Sequence, residues 1–152
     1  MNRIFFAVSA TPRPEALSRD THPSPLGDTG KHQATMLRKK IHRRLEDPYM
    51  LCSPVTHVRE TARRIAGTNY IPITELQWKD KWSPRAASLA IYVRWLNHRK
   101  NLVVCMPFGF VEDILRALFP QADFSRTTTQ PGDALEIEFI DCNSPNLSVT
   151  HF

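Results

Sequence analysis

Short apolar runs alternate with longer amphipathic segments along this sequence. Residues 3–8 (RIFFAV) form the first run, and its length and composition are typical of a buried β-strand. Further strands or extended segments are predicted at residues 48–54 (PYMLCSP), 69–76 (NYIPITEL), 101–106 (NLVVCM) and 133–142 (DALEIEFIDC). Amphipathic helices are predicted between them, at residues 31–45, 55–67, 83–99 and 110–119. This alternation indicates an α/β fold, which we expect to have three layers, with a mostly parallel central sheet flanked by helices.

Three of the predicted helices have recognisable ends. Asp28 or Thr29 precedes the first helix and is a candidate N-terminal cap. Gly67 closes the second helix, because a glycine easily adopts the left-handed conformation of a C-terminal cap. Ser83 is the predicted cap of the third helix, with Pro84 in its first turn.

Length and composition indicate one globular domain over residues 1–152. The chain is 41% hydrophobic and 23% charged, and a domain of this size buries enough surface to fold without disulfides. No apolar run approaches the ~20 residues of a membrane span, and residues 4–8 are too few for the hydrophobic part of a signal peptide. Cys52, Cys105 and Cys142 are odd in number and widely spaced, which is typical of free thiols. We therefore expect a cytoplasmic protein without a membrane partner.

The net charge of +5 is concentrated in residues 31–44 (KHQATMLRKKIHRR). One interpretation is a surface for an anionic partner, such as nucleic acid or a phosphorylated ligand. The other is the solvated face of a helix, which requires no partner. Since nothing except charge supports the first interpretation, we do not expect nucleic-acid binding.

The histidines show no metal-ligand pattern. None of them forms a His-x-x-x-His pair, and no Cys-x-x-Cys pair accompanies them. We therefore expect neither a metal nor a cofactor. The six histidines are His22, His32, His42, His57, His98 and His151.

Topology indicates where a functional site would lie. In an open α/β sheet, ligands bind at the carboxyl ends of the strands. The loops that leave Val8, Cys52 and Met106 are therefore the candidate loops. The first of them is long and Pro-rich, which is typical of a functional segment.

Two stretches of the chain carry a recognisable pattern. Residues 24–34 (SPLGDTGKHQA) contain Pro-Leu, three residues, Gly, two residues and Gln-Ala, and residues 52–66 (CSPVTHVRETARRIA) contain Ser53-Pro54 and, further on, Thr61-Ala62. Both resemble motifs of the histidine phosphatase (phosphoglycerate mutase-like) superfamily. The order of elements matches over essentially the whole chain, and its compact length is similar to that of the small phosphohistidine-phosphatase branch. The resemblance implies a phosphoglycerate mutase-like fold.

The resemblance also implies where catalytic residues would lie, and there this sequence departs from the family. Members carry Arg-His-Gly at the end of the first strand and phosphorylate the His, whereas this chain has VSAT, with Ser9 or Ala10 at the His position. The phosphate-holding Arg corresponds to His57, and the second catalytic His corresponds to Met106. Glu75 corresponds to the proton-donating Glu of many members. The degenerate pocket is expected to comprise Ser9, Ala10, Thr11, Arg13, His57, Glu75, Cys105 and Met106.

A relocated cysteine nucleophile is one alternative. A cysteine phosphatase loop requires an Arg six residues after the nucleophile, but Val111 stands six residues after Cys105. Arg59 follows Cys52 by seven residues, which is one too many. Buried, inert thiols are the simpler interpretation for both cysteines.

Two further arrangements stay open at this point. Ser9 could pair with His57 as its base if the fold brings the two together. Arg13 either holds an anion in place of the lost Arg or lies in a solvated loop.

The aromatic residues allow two interpretations, lining of a cleft or packing in the core. Trp95 lies beside Ile91 on a predicted helix, and we interpret it as core. The turn at residues 106–110 (MPFGF) is apolar where a polar catalytic turn would be expected, so it either plugs the old pocket or offers a hydrophobic contact. The other aromatics considered are Trp78, Trp82, Phe108 and Phe110.

Three functional hypotheses follow. The favoured one is a non-catalytic histidine phosphatase-fold protein, a pseudophosphatase that binds a small phosphorylated ligand or a protein partner. The alternative is a phosphohydrolase for phosphomonoesters or phosphohistidine with a rearranged site, in which His57 or Cys105 is the nucleophile. The third is a module whose basic surface binds an anionic partner.

Overall fold

In the computed structural model, which describes residues 1–13, 25–76 and 82–152, the strands form one mixed sheet. The described strands are β1 Asn2–Val8, β2 Tyr49–Cys52, β3 Tyr70–Pro72, β4 Leu102–Met106, β5 Ala134–Phe139 and β6 Leu147–His151. Their order in the sheet is β3-β2-β4-β1-β5-β6. The described helices are α1 Asp28–Arg44, α2 Thr56–Ala66, α3 Pro84–Asn97 and α4 Val111–Leu118, and a single 3₁₀ turn covers Thr74–Leu76.

Strands β1, β4, β2 and β3 are parallel, and β5 joins β1 in the antiparallel direction. Val8 pairs with Met106, and Cys52 pairs with Cys105, so β1, β4 and β2 end side by side. The predicted convergence of the three candidate loops follows from this register.

Side chains alternate between the two faces of the sheet, and each face is covered by two helices. Phe6 of β1 belongs to the core beneath α3 and α4, where Ile91 and Ile114 pack. Phe5 belongs to the core beneath α1 and α2, where Leu37 packs. The expected three-layer α/β architecture is confirmed.

Most predicted elements are present, with three differences. Helix α1 begins at Asp28, so Asp28 and Thr29 lie in its first turn; Gly27 precedes it without a side-chain cap bond, and the predicted cap is wrong. The segment at 133–142 contains β5, and a further strand that was not predicted, β6, follows it. Helix α3 is apolar on more than one side, whereas a simple amphipathic helix was predicted.

The ends of helices α2 and α3 agree with the prediction. Ser83 Oγ accepts a hydrogen bond from the Ala86 amide at 3.1 Å, and Pro84 occupies the first turn. Gly67 ends α2 as predicted, but its φ of +63° and ψ of −114° give a positive-φ conformation other than the left-handed helical one that was expected.

A buried carboxylate connects three elements near the chain termini. Glu136 of β5 is almost completely buried, and one of its carboxylate oxygens forms an ion pair with Arg3 Nε of β1 at 3.3 Å. Arg44 of α1 binds the other oxygen of the same carboxylate and lies 4.6 Å from the centre of the Phe152 ring. The two arginines provide the opposite charge that a buried carboxylate requires.

Two further observations bear on the sequence predictions. Most of the Pro-rich loop, together with His22 and Trp78, lies outside the described residues. Among the helices of the described ranges, none combines the length and the apolar character needed to cross a bilayer.

Candidate functional site

The loops after β1, β2 and β4 are joined by backbone hydrogen bonds. The Ser9 amide donates to the Met106 carbonyl at 2.8 Å, and the Ser53 amide donates to the Cys105 carbonyl at 3.2 Å. Sequence-predicted positions from separate strands are therefore brought together. Because β1, β4 and β2 end in register, the positions predicted from the family resemblance at these strand ends lie next to one another.

This place is filled by neutral side chains. Ser9 is 2% exposed and Met106 is completely buried. Met106 packs in the core beneath α3 and α4, and Ala10 packs with Leu26 and Ala34 in a small cluster of its own. None of these side chains supplies the positive charge that phosphate requires.

Two residues from the recognisable motifs bind the backbone of the loop after β1. Thr61 Oγ1 accepts the Ala10 amide at 3.2 Å and donates to the His57 carbonyl at 2.8 Å. Gln33 Oε1 accepts the Thr11 amide at 2.7 Å. These bonds fix the backbone of the two residues that follow Ser9. The motif residues Thr61 and Gln33 therefore stabilise the conformation of this loop.

Gly30 allows helix α1 to approach this loop. A Cβ atom at Gly30 would lie 2.2 Å from the Thr11 carbonyl oxygen, far inside van der Waals contact. Gly30, another residue of the motif, is thus needed because a side chain at this position would clash with the backbone of the loop. The sequence motif showed these positions but not their role, since the contacts join residues 22 and 51 positions apart.

His57 lies in the first turn of α2 and is half-buried. Burial lowers the pKa of His57 below its usual 6.5, so the imidazole is neutral at pH 7. A neutral imidazole offers a single N–H donor, whereas an arginine offers five and a permanent charge. His57 is a poor substitute for a phosphate-holding arginine.

Burial also suppresses the reactivity of the two strand cysteines. It raises the pKa of Cys52 to about 12, although the charge of Arg59 acts in the opposite direction. The pKa of Cys105, which is completely buried, is raised well above its usual value by burial and by neighbouring Cys52. Because the thiolate is the nucleophile, both cysteines are protonated and unreactive at neutral pH.

The remaining predicted site residues lie towards the surface. Glu75 is exposed in the 3₁₀ turn after β3. Ile73, which precedes this turn, donates its amide to the Cys52 carbonyl at 2.9 Å. Thr11 is exposed, and Arg13 is half-buried, with its amide bonded to the Pro25 carbonyl at 2.8 Å.

The apolar turn after β4 presents one of its two aromatic rings to solvent. Phe108 is exposed beside Gly109, which has φ of +93°. Phe110 packs edge-on against Trp82 with ring centres 5.5 Å apart. The Phe108 ring therefore does not fill the predicted degenerate pocket.

The described residues contain no cluster for a metal ion, and two surface cavities of the described part lie away from the strand-end loops. Within residues 1–13, 25–76 and 82–152, no three His, Cys, Asp or Glu side chains cluster closely enough to hold a metal. A groove of about 660 Å³ lies beside α3, and a cavity of about 510 Å³ lies between α1 and α2.

Comparison with known proteins gives a clear result at the level of structure only. No protein-family model matches the sequence, and no curated protein matches it. The protein histidine phosphatase SixA, solved with tungstate, superposes with a TM-score of 0.72 and 14% identity over 97% of this chain and 94% of that chain. Phosphoserine phosphatase from Entamoeba histolytica, solved with 3-phosphoglyceric acid, gives a TM-score of 0.68 and 13% identity over 99% and 95% of the two chains.

A third solved structure, a mycobacterial glucosyl-3-phosphoglycerate phosphatase, superposes with a TM-score of 0.67 and 14% identity over 99% of this chain and 97% of that chain. The three proteins differ in the substrates that their names give, yet nearly the whole of this chain superposes on each. The chain therefore has the histidine phosphatase, or phosphoglycerate mutase-like, fold.

Proposed function

We propose that this chain is a pseudophosphatase, a non-catalytic protein of the histidine phosphatase fold that acts as a binding or regulatory module. One observation carries the proposal. The motif residues that hold the loop backbone are kept, namely Gly30, Gln33 and Thr61, and each makes a defined contact. The positions that would touch a phosphoryl group are occupied by Ser9, His57 and Met106.

The chemistry of phosphoryl transfer makes these replacements severe. The reaction needs a nucleophile and positive groups that stabilise charge on the equatorial oxygens. Ser9 is almost completely buried, and His57 is neutral at pH 7. Loss of a nucleophile alone costs roughly four orders of magnitude or more in rate. The arrangement supports a folded scaffold without turnover.

A rearranged phosphohydrolase is the competing function. It needs a thiolate or an accessible imidazole at the strand ends. Burial raises the pKa of both Cys52 and Cys105, which removes the thiolate at neutral pH. The binding module is therefore better supported than a cysteine-based phosphohydrolase, and the His57→Ala variant in the assay tests the imidazole.

The decisive experiment is a sensitive hydrolysis assay with a generic phosphomonoester and with a phosphohistidine peptide. Wild-type protein is compared with Ser9→Ala, His57→Ala and Cys105→Ala, and SixA under the same conditions is the active control. We expect wild type and all three variants to match the buffer blank. Wild-type turnover that any of these substitutions abolishes would overturn the proposal.

Calorimetry on the same samples addresses the ligand. Inorganic phosphate and tungstate are titrated into wild type and into His57→Ala. Heat that disappears in His57→Ala identifies a retained anion site without catalysis, whereas no heat in either protein directs attention to protein partners.

A further inference from the structure

Helix α3 has two apolar stripes, and the core uses only one of them. Ala87, Ile91 and Trp95 form the buried stripe beneath which β1 and β4 lie. A second stripe runs along another side of the helix at spacings of three, four and seven residues, which places its members on one face. These residues are Leu89 (63% exposed), Tyr92 (39%), Val93 (51%) and Leu96 (42%).

The exposed stripe borders a groove of about 660 Å³ between α3, the end of α4 and the segment after β5. Trp95, Leu118 and Phe139 contribute buried apolar surface to this groove. Ile140 lies on the far rim and is 69% exposed. Leu89 and Tyr92 belong both to the stripe and to the lining of the groove, so the two adjoin, and exposed apolar groups of this kind mark protein interfaces.

The charges around this surface have one dominant sign. Helix α3 has no Asp or Glu along its length, and Arg85 and Arg99 line the groove. The Arg99 guanidinium lies 5.0 Å from the Trp95 ring centre. Asp141 is the one carboxylate among the described residues that line the groove. An occupant with carboxylates beside apolar side chains would be complementary to this surface.

We propose that the α3 stripe and its groove bind an amphipathic, acidic segment of a partner protein. An amphipathic helix presents apolar residues at the same spacing as the stripe, and its acidic flanks would meet Arg85 and Arg99. The groove runs along α3 from Arg85 to Arg99 and reaches Asn2, and Ser9, His57 and Met106 are not among the residues that line it. The proposal therefore holds whether or not the chain hydrolyses phosphate esters.

A second copy of the chain fits this surface less well. Antiparallel pairing that sets Leu89 of one copy against Leu96 of the other brings Arg85 close to Arg99 and Lys100 of that other copy. Parallel pairing sets Arg85 against itself. Both arrangements oppose like charges, which weakens association.

Selection from a random 16-residue peptide display library against the full chain tests the proposal. We expect enriched peptides to be acidic, with apolar residues at helical spacing. Their binding, measured by fluorescence anisotropy, should weaken about tenfold or more in Leu89→Lys and in Arg85→Glu/Arg99→Glu. Arg38→Glu, an exposed arginine on α1, is the matched control and should leave the affinity unchanged.

Each other outcome overturns the proposal. Failure to enrich any peptide shows that the surface is not a peptide-binding site, and enriched basic peptides reject the charge argument. Binding that is insensitive to the α3 variants places the contact elsewhere. Light scattering at increasing concentration tests the second copy: a dimer that Leu89→Lys dissociates assigns the stripe to self-association. All substituted side chains are exposed, so we expect the variants to fold normally. Unfolding midpoints equal to that of wild type verify this.

Discussion

Cys52 and Cys105 lie directly opposite each other on neighbouring parallel strands, and neither side chain is exposed to solvent. They lie near the carboxyl ends of β2 and β4, beside the loops that follow these strands. Burial keeps both thiols protonated, with the pKa of Cys52 raised to about 12. The pair is part of the core beneath α1 and α2, so its effect is on stability.

The protein should lose stability in alkaline solution because of this pair. Below pH 9 the thiol is protonated in both states; between pH 9 and about 12 the unfolded Cys52 loses its proton while the folded one keeps it. The unfolded state then binds fewer protons, so the free energy of unfolding falls by about 1.4 kcal/mol per pH unit for this thiol. Urea unfolding of wild type and Cys52→Ala at pH 8 to 10.5 measures the difference in slope. Equal slopes for both proteins would contradict the prediction.

Thr61→Val should loosen the loop after β1. The substitution leaves the buried Ala10 amide without its acceptor, which costs about 1 to 3 kcal/mol. Thr61→Ser keeps the hydroxyl and should retain most of the stability. Thr35→Val is the matched control, since its hydroxyl makes the same kind of helix bond, to the Lys31 carbonyl, on an exposed face. Chemical denaturation of the three variants checks this, and an equal loss in Thr61→Val and Thr35→Val would argue against the role of Thr61.

Gly30→Ala should destabilise the contact between α1 and the same loop. Its Cβ would meet a backbone oxygen at 2.2 Å, and no side-chain rotation relieves such a clash. The expected cost is about 1 to 3 kcal/mol, which exceeds the gain in helix propensity of up to about 1 kcal/mol. Thr29→Ala, an exposed neighbour in the same turn, should stay within about 0.5 kcal/mol of wild type. Thermal unfolding compares the two variants. A Gly30→Ala protein more stable than wild type would show that α1 can move away from the Thr11 carbonyl without cost, which contradicts the prediction.

Glu136→Gln should weaken the connection between β5, β1 and α1. The substitution removes the charge that Arg3 and Arg44 both bind, and a hydrogen bond to a charged group contributes about 1.5 to 3 kcal/mol. Asp113→Asn is the control, because the Asp113–Arg116 pair is exposed and should contribute little. Urea midpoints measured at low and at high salt test the assignment. A urea midpoint unchanged by Glu136→Gln would show that the ion pairs of Glu136 with Arg3 and Arg44 do not stabilise the fold.

Local patterns predicted the elements that bury a clear apolar face. The strand before Ser9 and the helix at 83–99 were both evident from sequence, and Ser83 was a correct cap. Strand β6 was missed because it is half-exposed and is held to β5 by backbone pairing, which leaves little hydrophobic pattern. The first helix lacks a side-chain cap, so the usual cap chemistry misplaced its start.

The convergence of the candidate loops was predictable, but the contacts that support these loops were not. Parallel strands explain why the loops after Val8 and Met106 converge. The role of Thr61 depends on a bond to a residue 51 positions away, which no local rule reveals. The second stripe on α3 was concealed for a similar reason, because sequence shows that a residue is apolar without showing which side of the helix the core covers.

The placement of Trp95 gives the molecule a built-in optical reporter. Its indole N–H bonds to the Arg3 carbonyl at 2.8 Å, and its ring lines the groove beside α3. Trp82, in contrast, packs on Phe110 next to the turn after β4. In variants that keep only Trp95 or only Trp82, the remaining indole reports from one end of the sheet, so the variant whose emission shifts identifies which end of the molecule a partner has occupied.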